Sequence, residues 1–67
     1  MTREMYNKFW LARDLDGELY LYPNKPTKEG DFFYSYMSSF QLDATEYPEV
    51  TFENSPQEVE LKLTQLT

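Results

Sequence analysis

The sequence contains no cysteine and no histidine. The first absence excludes disulfides, and the two together exclude the thiolate and imidazole sets that hold structural zinc. They also remove the commonest general base and the cysteine nucleophile. Long apolar runs are missing too: nothing approaches the roughly 18 residues of a membrane helix. Residues 1–8 (M-T-R-E-M-Y-N-K) lack the apolar core and small-residue cleavage site of a secretion signal. A cytoplasmic setting is the expectation, with no membrane partner and no cofactor. Basic residues are scarce, with six Lys and Arg against twelve Asp and Glu, a formal net charge of -6. The deficit lies in residues 29–67, where Lys62 is the single base. Direct binding to a nucleic-acid backbone needs clustered Lys and Arg and is not expected. A basic partner fits the charge better.

What the chain does contain is aromatic area. Five Phe, six Tyr and one Trp stand in 67 residues, read as a single small domain over residues 1–67. A chain of this length buries only about 60% of its unfolded surface. With no covalent or metal staple, stability has to come from those rings or from a partner surface, a second copy included.

The strongest local signal is Asp16-Gly17 between two apolar and aromatic runs, residues 9–13 and 18–22. A two-residue type I′ turn there pairs Leu15 with Glu18, Ala12 with Leu21 and Trp10 with Pro23. That register sets Trp10, Ala12, Leu19 and Leu21 on one face, and Phe9, Leu11, Arg13, Tyr20 and Tyr22 on the other. A longer loop over residues 14–17 would change the pairs but keep the alternation within each strand. Residues 1–7 read as a lead-in whose tail could add to the first strand, with Met5 and Tyr6 extending the apolar surface. Residues 23–30 read as a loop, because Pro23 and Pro26 cannot donate ladder hydrogen bonds and Gly30 favours a turn. Residues 31–37 should form a strand with Phe32, Tyr34 and Tyr36 on one face, and residues 40–43 a further strand. Asp43 to Glu46 has capping-box spacing for a short helical turn, with a 3₁₀ turn or loop as the alternative, ending before Pro48. Residues 50–52 are a strand candidate. Residues 57–63 alternate most cleanly, Val59, Leu61 and Leu63 against Glu58, Glu60 and Lys62. The expectation is an all-β fold, a small antiparallel meander or partly closed barrel of five or six short strands.

Chemical sites are weakly signalled. Asp14 with Asp16, or Glu58 with Glu60, could bring carboxylates together, but acid-pair catalysis also needs a cleft and a raised pKa. Turn and solvent-facing roles are expected instead, and no enzyme activity. Asp14 to Glu18 lacks the twelve-residue spacing of a calcium loop. Lys25 and Lys28 lack the Gly-rich strand-to-helix context of a phosphate loop. Tyr20, Tyr22, Tyr34 and Tyr36 could stack bases, yet the acidic balance opposes it.

The segments Phe9-Trp10-Leu11-Ala12-Arg13-Asp14 with Asp16-Gly17, Tyr20-Leu21-Tyr22, and Tyr47-Pro48-Glu49-Val50 with Val59-Glu60-Leu61 resemble short uncharacterised proteins of gut Bacteroides-type bacteria and their mobile elements. The resemblance implies a bacterial or phage origin and brings no catalytic residues. The residues themselves point to a small protein-interaction or homo-oligomerisation module. Its candidate interface is Trp10, Tyr20, Tyr22, Tyr34 and Tyr36, some of which belong to the core. The alternative is an acidic inhibitor that masks a basic nucleic-acid-binding groove on a partner through Glu46, Glu49, Glu53, Glu58 and Glu60.

Overall fold

Strands β1 (Thr2–Arg13) and β2 (Leu19–Tyr22) form the central hairpin of the fold. The structure, a computed structural model, describes the backbone of residues 2–66 and the side chains of residues 8–60. The hairpin loop is not the two-residue turn expected from Asp16-Gly17. It spans residues 14–18, with Arg13 opposite Leu19, Ala12 opposite Tyr20, Leu11 opposite Leu21 and Trp10 opposite Tyr22. A type I′ turn needs positive φ at both central residues. Here Gly17 alone in the loop takes it, at 95°, while the Asp16 carboxylate accepts a hydrogen bond from the Glu18 amide at 3.0 Å. The Gly17 amide donates to the Asp14 carbonyl and the Asp14 amide to the Glu18 carbonyl, each at 2.9 Å.

The longer loop moves the register by one residue and re-sorts both faces. Alternation within each strand survives, but Leu19 and Leu21 now join Leu11, while Tyr20 and Tyr22 join Trp10 and Ala12. One face is therefore aliphatic and the other aromatic, where the expected register mixes the two.

Strands β5 (Phe40–Leu42) and β6 (Gln57–Leu66) complete an antiparallel sheet in the order β5-β2-β1-β6. Leu42 lies opposite Leu19, and Val59 opposite Phe9, so both enter the aliphatic face. β6 pairs with β1 from Leu11 opposite Gln57 to Thr2 opposite Leu66, which makes the expected lead-in part of a strand. The side chains of Met5, Tyr6, Leu61, Lys62 and Leu63 lie outside the described residues. Strands β3 (Thr27–Glu29) and β4 (Phe32–Tyr34) form a separate hairpin. Thus the expected 23–30 loop contains a strand, and the expected 31–37 strand is cut to three residues. The cause is a two-residue turn at 30–31, for which Gly30 takes a φ of 63°. The fold is all-β and open, six antiparallel strands in two sheets among the described residues, consistent with the meander of the two expected forms.

Each face of the main sheet carries its own core. On the aliphatic face Leu11 and Leu19 pack with Val50, and Leu21, Leu42 and Val59 flank them. On the aromatic face Ala12 and Tyr22 pack with Phe33, flanked by Trp10, Tyr20 and Phe52. Phe33 and Phe52 meet edge to face at 5.9 Å between centroids, a favoured aromatic geometry. Val50 serves the core from an irregular segment, not from the strand expected at 50–52. Its neighbours are shaped by a reciprocal pair instead: the Thr51 amide donates to Asn54 Oδ1 at 2.8 Å, and the Asn54 amide to Thr51 Oγ1 at 3.1 Å.

Candidate functional site

Arg13 and Asp14, adjacent in the chain, attach the two covers of the sheet. The Arg13 side chain lies on the aliphatic side, and all five guanidinium N–H groups donate to main-chain carbonyls. Nε reaches Val50 at 2.6 Å, Nη1 reaches Gly17 and Ala44 at 2.7 and 2.9 Å, and Nη2 reaches Glu46 and Tyr47 at 2.9 and 3.0 Å. That exhausts the donor capacity of the side chain and ties residues 44–50 over the sheet. Asp14 is 7% exposed and works on the other side: its Oδ1 accepts the Phe33 amide at 2.9 Å, fastening β4. The Leu15 amide adds a bond to the Asp31 carbonyl at 2.9 Å. Burial raises the Asp14 pKa above its ordinary 3.8, the Phe33 amide opposes the rise, and the charges of Asp16 and Glu18 add to it.

Beside the Arg13-held segment lies a groove of about 620 Å³. Its floor takes one residue from each strand of the main sheet: Leu42 of β5, Leu21 of β2, Leu11 of β1 and Val59 of β6. Asp43, Glu46 and Tyr47 form a wall, and Glu60 borders the β6 end. The expected capping box at 43–46 is a turn without a helix. Asp43 Oδ1 accepts both the Thr45 amide at 2.8 Å and the Thr45 hydroxyl at 2.6 Å, and the Glu46 amide donates to the Asp43 carbonyl at 3.0 Å. These bonds hold the Asp43 pKa below its ordinary value. Tyr47 has a φ of 49°, a conformation that costs a non-glycine residue roughly 1–2 kcal/mol. Its carbonyl accepts from both Arg13 and the Val50 amide, which holds the strained residue in place.

The five aromatic residues of the candidate interface part company. Tyr22 is core, 4% exposed, with its hydroxyl donating to the Phe33 carbonyl at 3.3 Å, so an interface role for it is withdrawn. Burial, with the charge of Asp14 and the neighbouring Tyr20, pushes its phenol up to about 12. Trp10 and Tyr20 are half-buried beside it, and Lys25 Nζ stands 5.5 Å from the Trp10 ring centroid. Tyr34 and Tyr36 are exposed at 61% and 82%. Phe32, on the same outward face of β4 as Tyr34, is 54% exposed, while the inner residue of the strand is Phe33.

The five glutamates are all exposed and are divided among elements. Glu46 walls the groove, Glu49 and Glu53 follow in the irregular segment, and Glu58 and Glu60 lie on β6 opposite Trp10 and Lys8. The Asp14 and Asp16 carboxylates each hold a main-chain amide, those of Phe33 and Glu18. Sequence reasoning missed Arg13 and Asp14 as organisers. The available signal was a charged residue continuing the apolar alternation of Phe9 and Leu11. In comparisons with known proteins, no family model matches the chain, and no curated protein or solved structure matches it. No helix long and apolar enough to cross a membrane occurs among the described residues.

Proposed function

We propose that the chain is a small non-enzymatic protein-interaction module that pairs with a second copy of itself through the outer face of β3 and β4. The observation that carries this reading is the exposure of Tyr34 and Tyr36 beside Phe32, because rings of this size are the usual anchors of protein interfaces. Charge supports self-pairing at this face and not elsewhere. Residues 23–42 hold Lys25 and Lys28 against Glu29 and Asp31, which balance. Residues 43–60 hold six acids and no base, so two copies of that surface repel. The reading includes a cytoplasmic setting and the bacterial or phage origin implied by the sequence resemblance.

Sedimentation velocity over a range of protein concentrations, at low and high salt, tests it. The expected result is a dimer at both salts and a folded monomer for the Tyr34→Ala/Tyr36→Ala double variant. A monomer at every concentration, or a dimer untouched by the double substitution, overturns it.

A further inference from the structure

We infer that the groove across the aliphatic face is a docking site for a short basic amphipathic segment of a partner protein, one that alternates Lys or Arg with a large apolar side chain. The site is independent of the proposed self-pairing, since it lies on the opposite face of the main sheet. Three features carry the inference. The first is shape. The floor crosses all four strands, Leu42, Leu21, Leu11 and Val59 in turn, and at about 4.8 Å between strands that is a trough roughly 14 Å long. Its length matches about four extended residues at 3.3 Å each. Its volume of about 620 Å³ falls in the range of pockets that bury most of a compact ligand.

The second feature is chemistry. The floor is aliphatic, and Tyr47 on the wall adds a half-exposed ring, so the occupant needs an apolar side chain to displace water from it. The third is charge. Asp43 and Glu46 stand on the wall with Glu49 just beyond, and no base occurs in residues 43–60. Arg13 lies under this wall with all five donors on main-chain carbonyls, so it makes no hydrogen bond to these carboxylates. A nucleic acid or an acidic peptide would be repelled; a segment with two or three bases gains at each carboxylate while its apolar side chain fills the trough.

The test uses the full chain labelled with ¹⁵N and three blocked tetrapeptides of alternating sequence: Lys-Leu-Lys-Leu, Gln-Leu-Gln-Leu and Glu-Leu-Glu-Leu. The basic peptide should shift the amides of Leu21, Leu42, Glu46 and Tyr47, the neutral one more weakly, and the acidic one not at all. The Asp43→Asn/Glu46→Gln variant keeps the side-chain acceptor that holds Thr45 and every backbone bond to Arg13. It should bind the basic peptide roughly three- to tenfold more weakly, with less salt dependence. Equal binding of the three peptides, or no binding of any, overturns the inference. So do shifts spread over Glu49, Glu53 and Glu58, which describe a diffuse acidic surface. Shifts confined to Tyr34 and Tyr36 would also overturn it while leaving the self-pairing reading standing, whereas loss of self-pairing alone leaves the groove intact.

Discussion

The two covers of the sheet are held by neighbouring residues of opposite charge, and they are held differently. On the aliphatic side Arg13 spreads one cation over five carbonyls, from Gly17 to Val50. On the aromatic side Asp14 concentrates one anion on a single amide, that of Phe33. Arg13, the last residue of β1, shares the aliphatic face with Leu11 by strand alternation, while Asp14 opens the loop and turns its carboxylate to the β4 side. The guanidinium can hold a segment that lies outside regular structure because its planar fork carries five donors, one for each of the carbonyls of Gly17, Ala44, Glu46, Tyr47 and Val50. The carboxylate secures a hairpin already held by its own ladder and by Phe33 in the core, so one bond suffices. The Asp14 cover also contains a group whose titration the fold shifts upward, chiefly through burial.

Removing Arg13 should therefore be the most damaging change. Arg13→Ala leaves four carbonyls to find water or go unpaired and takes one of two donors from the Tyr47 carbonyl, two of the lost bonds being partly buried, and a loss of about 2–4 kcal/mol is expected. Urea unfolding followed by Trp10 fluorescence measures it. Arg13→Lys should recover less than half of the loss, because an ammonium has three donors and no fork. Full rescue by lysine would mean that charge, and not the fan of hydrogen bonds, holds the segment.

Asp14→Ala comes next, at about 1–3 kcal/mol, the expected result of leaving the Phe33 amide buried and unpaired. Its pH behaviour separates the two covers. A carboxyl whose folded pKa is raised binds protons more readily in the native state, so its contribution is fully present below 3.8 and declines as pH rises through the folded value. Asp43, whose pKa is lowered, acts with the opposite sign: its contribution is present above 3.8 and is lost as pH falls through the folded value. Stability of the native chain relative to Asp14→Asn should fall as pH rises from about 4, and relative to Asp43→Asn it should rise. Equal slopes in chemical denaturation across this range would remove the distinction.

Much of this arrangement is legible in the residues and some is not. Alternation places Leu11 with Arg13, Trp10 with Ala12, and Glu58 against Val59, because a pleat imposes period two whatever the partner strand does. Register is different, since it depends on whether Asp16 adopts positive φ or uses its carboxylate to hold the Glu18 amide. Both outcomes suit the same Asp-Gly pair. The extension of β1 to Thr2 was hidden because its rungs are made with residues some sixty positions away on β6, and local propensity carries no trace of that pairing. The groove was hidden for the same reason: its four floor residues come from four strands, and its wall from a segment that resembles a helix start.

The mildest test probes how far the aromatic cover depends on the bond between Tyr22 and β4. Tyr22→Phe keeps the ring in the core and removes only the hydroxyl that reaches the Phe33 carbonyl at 3.3 Å, so a cost of about 0.5–1.5 kcal/mol is expected. The raised phenol gives a second, independent reading. A group held neutral up to about 12 contributes stability that is complete below pH 10 and is lost as pH rises through the folded value. Native chain and variant should therefore converge in thermal stability as the solution is made strongly alkaline, with the Tyr22 phenolate absorbance appearing as the fold opens. If Tyr22 ionised near the ordinary phenol value of 10, the cover would admit water at the ring. The contrast between the two faces would then lie in how open each cover is, and not in the chemistry of Arg13 and Asp14.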